Sequence, residues 1–203
     1  MRLQAGWGKI GIGVSFLVSL FFISLMPSLA ASFADTKKLA EQGDIESQVS
    51  LGTMYGSGDE VAQDYSKAVQ WTLRAANQGS AEGQYKLGAA YEYGVGVNQD
   101  YKKALEWYEK SGTQGYADAQ FSLAMLYING KGVRQDYTKA FSWSKKAAEQ
   151  GDPKAQFNLG LMYDEGKGVR QNRVVAKEWF GLACDNGQQD GCTNYMTLNE
   201  EGY

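Results

Sequence analysis

Apolar and polar positions between residues 35 and 203 follow helical spacing, and the pattern repeats. Leu51, Leu87, Leu123 and Leu159 share one register, followed four positions on by Tyr55, Tyr91, Tyr127 and Tyr163. Later in each period come Ala68, Ala104, Ala140 and Ala176, then Trp71, Trp107, Trp143 and Trp179. Glycines at 43, 79, 115, 151 and 187 recur every 36 residues. A fixed period of this size predicts a stacked repeat array. Within one period, Gln120, Leu123 and Tyr127 lie at i, i+3 and i+7, one face of a first helix, here called A. The loop Gly130-Lys131-Gly132-Val133 follows; its glycines supply positive φ, and its valine is expected to plug the core. Asp64, Asp100, Asp136 and Asn172 stand at the N-cap of a second helix, B. Each B helix ends at one of the recurring glycines.

A hairpin of this kind has one apolar side that it cannot bury alone, so neighbours must stack. The predicted fold is all-α, with full units at 44–79, 80–115, 116–151 and 152–187. Residues 35–43 read as the tail of a B helix. Residues 188–203 read as a lone A helix whose tyrosine column has become Asn199, a polar change that suits a capping helix. The motifs Ala-x-x-x-Leu-Gly-x-x-Tyr, Gly-x-Gly-Val-x-Gln-Asp and Ala-x-x-Trp-x-x-x-Ala-Ala-x-x-Gly resemble those of the Sel1-like repeat family, relatives of tetratricopeptide repeats. The resemblance covers 35–203 and implies a right-handed α/α solenoid that acts as a protein–protein interaction scaffold. Two places depart from the pattern. Gly58-Asp59-Glu60-Val61 lacks the second loop glycine, and Asn172-Arg173 replaces Asp-Tyr. Local loop changes are expected there, not a different fold.

Composition narrows the function. The chain has 203 residues, a net charge of −3 and no basic run, which argues against nucleic acid because phosphates demand clustered Lys and Arg. It has no histidine, which removes His-based acid–base chemistry and His-containing zinc sites. Residues 1–34 read as a signal peptide: Arg2 and Lys9, the apolar stretch Ile10–Met26, then Pro27 and small residues. Cleavage after Ala30 and cleavage after Ala34 both fit. The expected location is the periplasm or the outside of the cell, with no stable membrane span after processing. An uncleaved anchor is the rival.

Cys184 and Cys192 are the only cysteines. They flank Gly187 at the adjacent ends of a helix hairpin, within bridging range, and an exported chain should oxidise them to a disulfide. The pair also resembles the hairpin bridge of cysteine-rich secreted Sel1-like proteins. Those relatives have been linked to penicillin binding and weak β-lactam hydrolysis, which directs attention to Ser142-Trp143-Ser144-Lys145. That Ser-x-x-Lys match has no Ser-Asp-Asn or Lys-Thr-Gly companion. The Gly-x-Gly loops lack a strand and a Walker lysine, so turn geometry explains them. Asp164-Glu165 forms no recurring acid pair with a pocket pattern. No catalytic residue, metal site or cofactor is expected.

Core columns are fixed by packing, so specificity should come from columns that differ between repeats. The resemblance places the A helices on the concave side. Glu82, Tyr85, Ala89, Glu92 and Tyr93 would project there from the second repeat. Asp118, Met125 and Asn129 would come from the third, and Lys154, Leu161, Asp164 and Glu165 from the fourth. Tyr85 and Met125 could equally belong partly to the core. The set is acidic with aromatic and methionine anchors, and the expected partner is a protein with a basic or mixed surface. Adaptor, host-interaction and effector-immunity roles all fit that expectation. A β-lactam-interacting protein and a peptidoglycan or glycan binder are the alternatives.

Overall fold

A computed structural model describes residues 32–203. The expected signal peptide falls mostly outside the described residues. Ten α-helices, with no strands among the described residues, follow one another: α1 (Phe33–Glu41), α2 (Ile45–Ser57), α3 (Tyr65–Asn77), α4 (Ala81–Tyr93), α5 (Tyr101–Thr113), α6 (Ala117–Asn129), α7 (Tyr137–Glu149), α8 (Pro153–Glu165), α9 (Arg173–Asp185) and α10 (Gln189–Glu200). Each helix packs chiefly on the next in sequence, which makes an all-α solenoid. The A helices are α2, α4, α6, α8 and α10; the B helices are α3, α5, α7 and α9. Ala31–Tyr203 is a compact unit of its own.

The recurring columns do what packing requires. Leu51, Leu87, Leu123 and Leu159 are fully buried. The tryptophans are only half-buried. Three of them carry a cation from the same helix turn on the outer face: Arg74 over Trp71 at 4.2 Å, Lys110 over Trp107 at 3.9 Å and Lys146 over Trp143 at 4.2 Å. Asp64, Asp100, Asp136 and Asn172 cap their B helices by accepting backbone N–H bonds. Each such cap contributes about 1 kcal/mol. Val61 and Val133 pack against the core, as expected of the loop valine.

Two glutamine columns knit the repeats together. The A-helix amides of Gln48, Gln84, Gln120 and Gln156 donate to the carbonyls of Ala40, Ala76, Gly112 and Ala148, eight residues back. Their own oxygens accept from Gln78, Gln114, Gln150 and Asn186 of the following B helix. A third column, Gln63, Gln99, Gln135 and Gln171, donates to the backbone at Gly56, Glu92, Ile128 and Asp164 and closes each inter-helix loop. Buried amides satisfied in this way are worth about 1 kcal/mol each and would be costly if left unpaired.

The ends depart from the pattern for physical reasons. In the last three repeats the second loop glycine, Gly96, Gly132 or Gly168, has positive φ and sits hard against the start of the preceding B helix. A Cβ there would lie within 2.5 Å of the Tyr65, Tyr101 or Tyr137 backbone. The first repeat has no glycine at this position. Glu60 occupies the site with φ 59°, and its carboxylate accepts the N–H of Phe33 at 2.8 Å. The helix start at Phe33, capped by Ser32, lies two residues ahead of the boundary expected at 34/35. At the other end Cys184 and Cys192 form a disulfide with Cα atoms 4.6 Å apart. They occupy the two positions that elsewhere hold the carbonyl and the glutamine of the eight-residue hydrogen bond, so a covalent link replaces that bond where the array stops.

Candidate interaction surface

The A helices present one continuous outward stripe, at positions spaced i, i+4, i+7 and i+11 on each helix. Column by column it runs Glu46, Glu82, Asp118, Lys154, Asp190; Ser50, Lys86, Ser122, Asn158, Asn194; Thr53, Ala89, Met125, Leu161, Thr197; and Ser57, Tyr93, Asn129, Glu165, Glu201. No single residue type runs the length of any of these columns, unlike the core leucines. Glu82, Tyr93, Asp118, Asn129, Lys154 and Glu165 are exposed, and Ala89, Met125 and Leu161 are half-buried at the floor. The expected set thus comes together, apart from three members that point elsewhere.

Tyr85 packs its ring against Tyr108 and Tyr116, at 5.8 and 5.2 Å between centroids. Burial, followed by the Asp118 charge, pushes its hydroxyl up to about 12. Glu92 accepts the hydroxyl of fully buried Tyr108 at 2.8 Å; burial first and that carboxylate second raise the Tyr108 hydroxyl well above its usual range. Asp164 pairs with Arg173 at 3.1 Å. Arg173 also reaches Glu201 at 2.9 Å and the Tyr203 hydroxyl, so the replacement of Tyr by Arg in the fourth repeat ties down the C-terminus. Burial, ahead of neighbouring carboxylates, likewise raises Tyr116 and Tyr127. These tyrosines stay protonated at neutral pH and serve as packing and hydrogen-bonding groups.

Ser142 and Lys145 both lie on the exposed side of α7, and Lys145 engages Glu149 at 3.7 Å. No group of acids and cysteines among the described residues is arranged to hold a metal ion. No described helix is long and apolar enough to cross a membrane.

The geometry also contains a feature that the sequence pattern did not single out. At the joint of the first two repeats a cavity of about 350 Å³ opens onto the stripe, floored by Gly52, Ala68, Thr72 and Ala90 and rimmed by Tyr93 and Val95. The corresponding space at the joint of the third and fourth repeats is about 190 Å³, lined by Leu161, Met162, Glu165 and Lys167.

Stacked hairpins with a shared interior and an unshared outer stripe define an α-solenoid repeat protein. The chain belongs to the Sel1 repeat family, whose model matches residues 45–80, 81–116, 117–152 and 153–188. Each match starts one residue after the corresponding unit drawn from the glycine spacing. Among solved structures, a protective antigen of uropathogenic Escherichia coli strains is 36% identical with a TM-score of 0.82, over 84% of this chain and 37% of that one. A Sel1 repeat protein from Oxalobacter formigenes is 33% identical with a TM-score of 0.76, over 82% of this chain and 48% of that one. Cysteine rich protein B of Helicobacter pylori is 28% identical with a TM-score of 0.52, over 67% of this chain and 98% of that one. The chain thus spans less than half the length of the first two. No curated protein matches it.

Proposed function

We propose that this protein is an exported scaffold that binds another protein along the A-helix stripe, the face that the family resemblance makes concave. The observation that carries this is the contrast between columns: core positions repeat, while stripe positions change from repeat to repeat and present Glu82, Tyr93, Asp118, Asn129, Lys154 and Glu165 to solvent. Carboxylates outnumber cations on it, so the partner's facing surface is basic or mixed. Electrostatic complementarity of this kind sets encounter rate and partner choice. Export rests on the basic–apolar–small layout of residues 1–34, and the Cys184–Cys192 disulfide suits an oxidising compartment.

The test is capture of the C-terminally tagged protein from gently lysed native cells at low and moderate salt. One protein should co-purify in near-stoichiometric amount, less of it at the higher salt. A capture that contains no partner at either salt would remove the scaffold proposal.

A further inference from the structure

The joint between the first two repeats differs from its counterparts in both floor and rim. Along the B helices the floor column reads Thr72, Tyr108, Ser144, Phe180. Tyr108 and Phe180 are fully buried and lie flat on Gly88 and Gly160, where an added Cβ would be 2.6 Å from the ring. Gly52 keeps the same small residue in the first repeat, but Thr72 supplies no ring. The next A helix does not compensate. Where the later joints bring in Leu126, Met162 and Leu198, all buried, the first brings in Ala90. A small residue in both columns occurs at this joint alone, and the cavity is the result.

The rim has changed in the opposite sense to the rest of the surface. Tyr93 stands where later repeats have Asn129 and Glu165, and Val95 where they have Lys131 and Lys167. Those lysines lie over the rings of Tyr101 and Tyr137, at 5.2 and 5.8 Å. Tyr65 has Val95 in place of such a lysine. Tyr65, Tyr93 and Val95 are 46%, 70% and 40% exposed, an apolar patch around an apolar hole. Exposed apolar clusters of this sort mark contact sites. A second hollow of mixed lining, with Ile45, Val49 and Met54 beside Ser50 and Ser80, adjoins it through Thr53 and carries Glu46 and Glu82. Glu82 pairs with Lys86 at 3.4 Å, and Glu46 has no ion pair among the described residues.

We propose that this cavity receives one aromatic side chain of a partner polypeptide, while a basic residue near it in the partner's sequence reaches Glu46 and Glu82. The proposal rests on the scaffold function and names the chemistry of what the stripe holds. The chain itself shows what fits: the rings of Tyr108 and Phe180 occupy the equivalent floor positions in the second and fourth repeats. The volume is ample, since a cavity of about 150 Å³ already holds a benzene ring. The carboxylates of Glu46 and Glu82 on the neighbouring hollow supply the charge complement.

A displayed library of random nonapeptides, selected on the chain from Ala31 to Tyr203, tests this. Enriched peptides should carry Phe, Tyr or Trp with Lys or Arg within about four positions, the span of an extended strand across both hollows. Thr72→Phe, which places a ring on Gly52 from within, should weaken those peptides at least about tenfold, as loss of a central anchor does. Ala90→Met fills the same space from the other wall and should act alike should the first variant fold poorly. Glu46→Gln with Glu82→Gln should give a smaller, salt-dependent loss. Equal binding by wild type and both filled variants would overturn the proposal, as would enrichment of acidic or aromatic-free peptides, or of none. A captured protein partner that stays with Thr72→Phe would sink the pocket and leave the scaffold standing. Aromatic–basic peptides enriched without any captured partner would do the reverse.

Discussion

The first and third inter-repeat joints are built from the same columns and end differently. Both have a small B-helix residue on the floor, Thr72 in one and Ser144 in the other. At the third joint the next A helix answers with Leu161 and Met162, and Asn158 donates to the Ser144 hydroxyl at 2.7 Å. Glu165 and Lys167 then pair across the rim at 2.6 Å, which also raises the Lys167 ammonium above its ordinary value through the hydrogen bond to Glu165. At the first joint the answering residues are Ala89 and Ala90, and the rim is Tyr93 and Val95. One joint closes on itself and presents charge; the other stays open and presents apolar surface. A missing floor ring is therefore a structural gap only where the neighbouring helix leaves it unfilled.

The comparison breaks most readily at the third joint. Met162 is buried, and Met162→Ala should cost about 2–5 kcal/mol, read as a lower urea midpoint. A near-neutral result would mean that the third joint collapses around the gap, and that the open first joint is not maintained by its residues. The staple offers a second, smaller test. Replacing Cys184 with Ala and Cys192 with Gln recreates the amide–carbonyl pair of the internal repeats. About 2–3 kcal/mol of loop constraint is lost and about 1 kcal/mol of hydrogen bonding returns. The expected net loss is about 1–2 kcal/mol by denaturant unfolding, with fraying confined to α10. An unchanged midpoint would mean that the disulfide adds nothing beyond the bond it replaces.

Much of this architecture could be read from residues alone, because the columns that build it repeat. Leu123, Tyr127, Gln120 and the glycine at 115 each have counterparts one period away, and four copies leave little freedom in the register. The sequence also placed the cysteines at facing hairpin ends. It was less informative about side-chain direction. Helical spacing leaves Tyr85 between the stripe and the core, and its column, which continues as Phe121 and Phe157, belongs to the interior. Glu92 and Asp164 are expected on the stripe, but each is engaged by a residue from the following B helix, Tyr108 or Arg173. The first-joint cavity was not legible at all. It depends on the combined volumes of Thr72, Ala89 and Ala90, which come from two helices of different repeats, so the small Ala90 in its column opens a cavity only because Thr72 across the joint is small too. Glu60 in a glycine position needed the structure as well, since neither its φ of 59° nor the bond its carboxylate accepts from the Phe33 N–H shows in the column.

On the proposed function, shared columns carry the fold and unshared stripe columns carry the binding. Simultaneous Glu82→Lys, Asp118→Lys and Glu165→Lys reverses the stripe's charge at three exposed positions without touching the core, so the most direct measurement is partner capture by this variant beside its thermal midpoint. The midpoint should stay within a few degrees of wild type, since exposed ion pairs are worth about 0–1 kcal/mol each, while the partner is lost. A partner retained in full by a folded, charge-reversed protein would contradict the proposed function and place binding on another face.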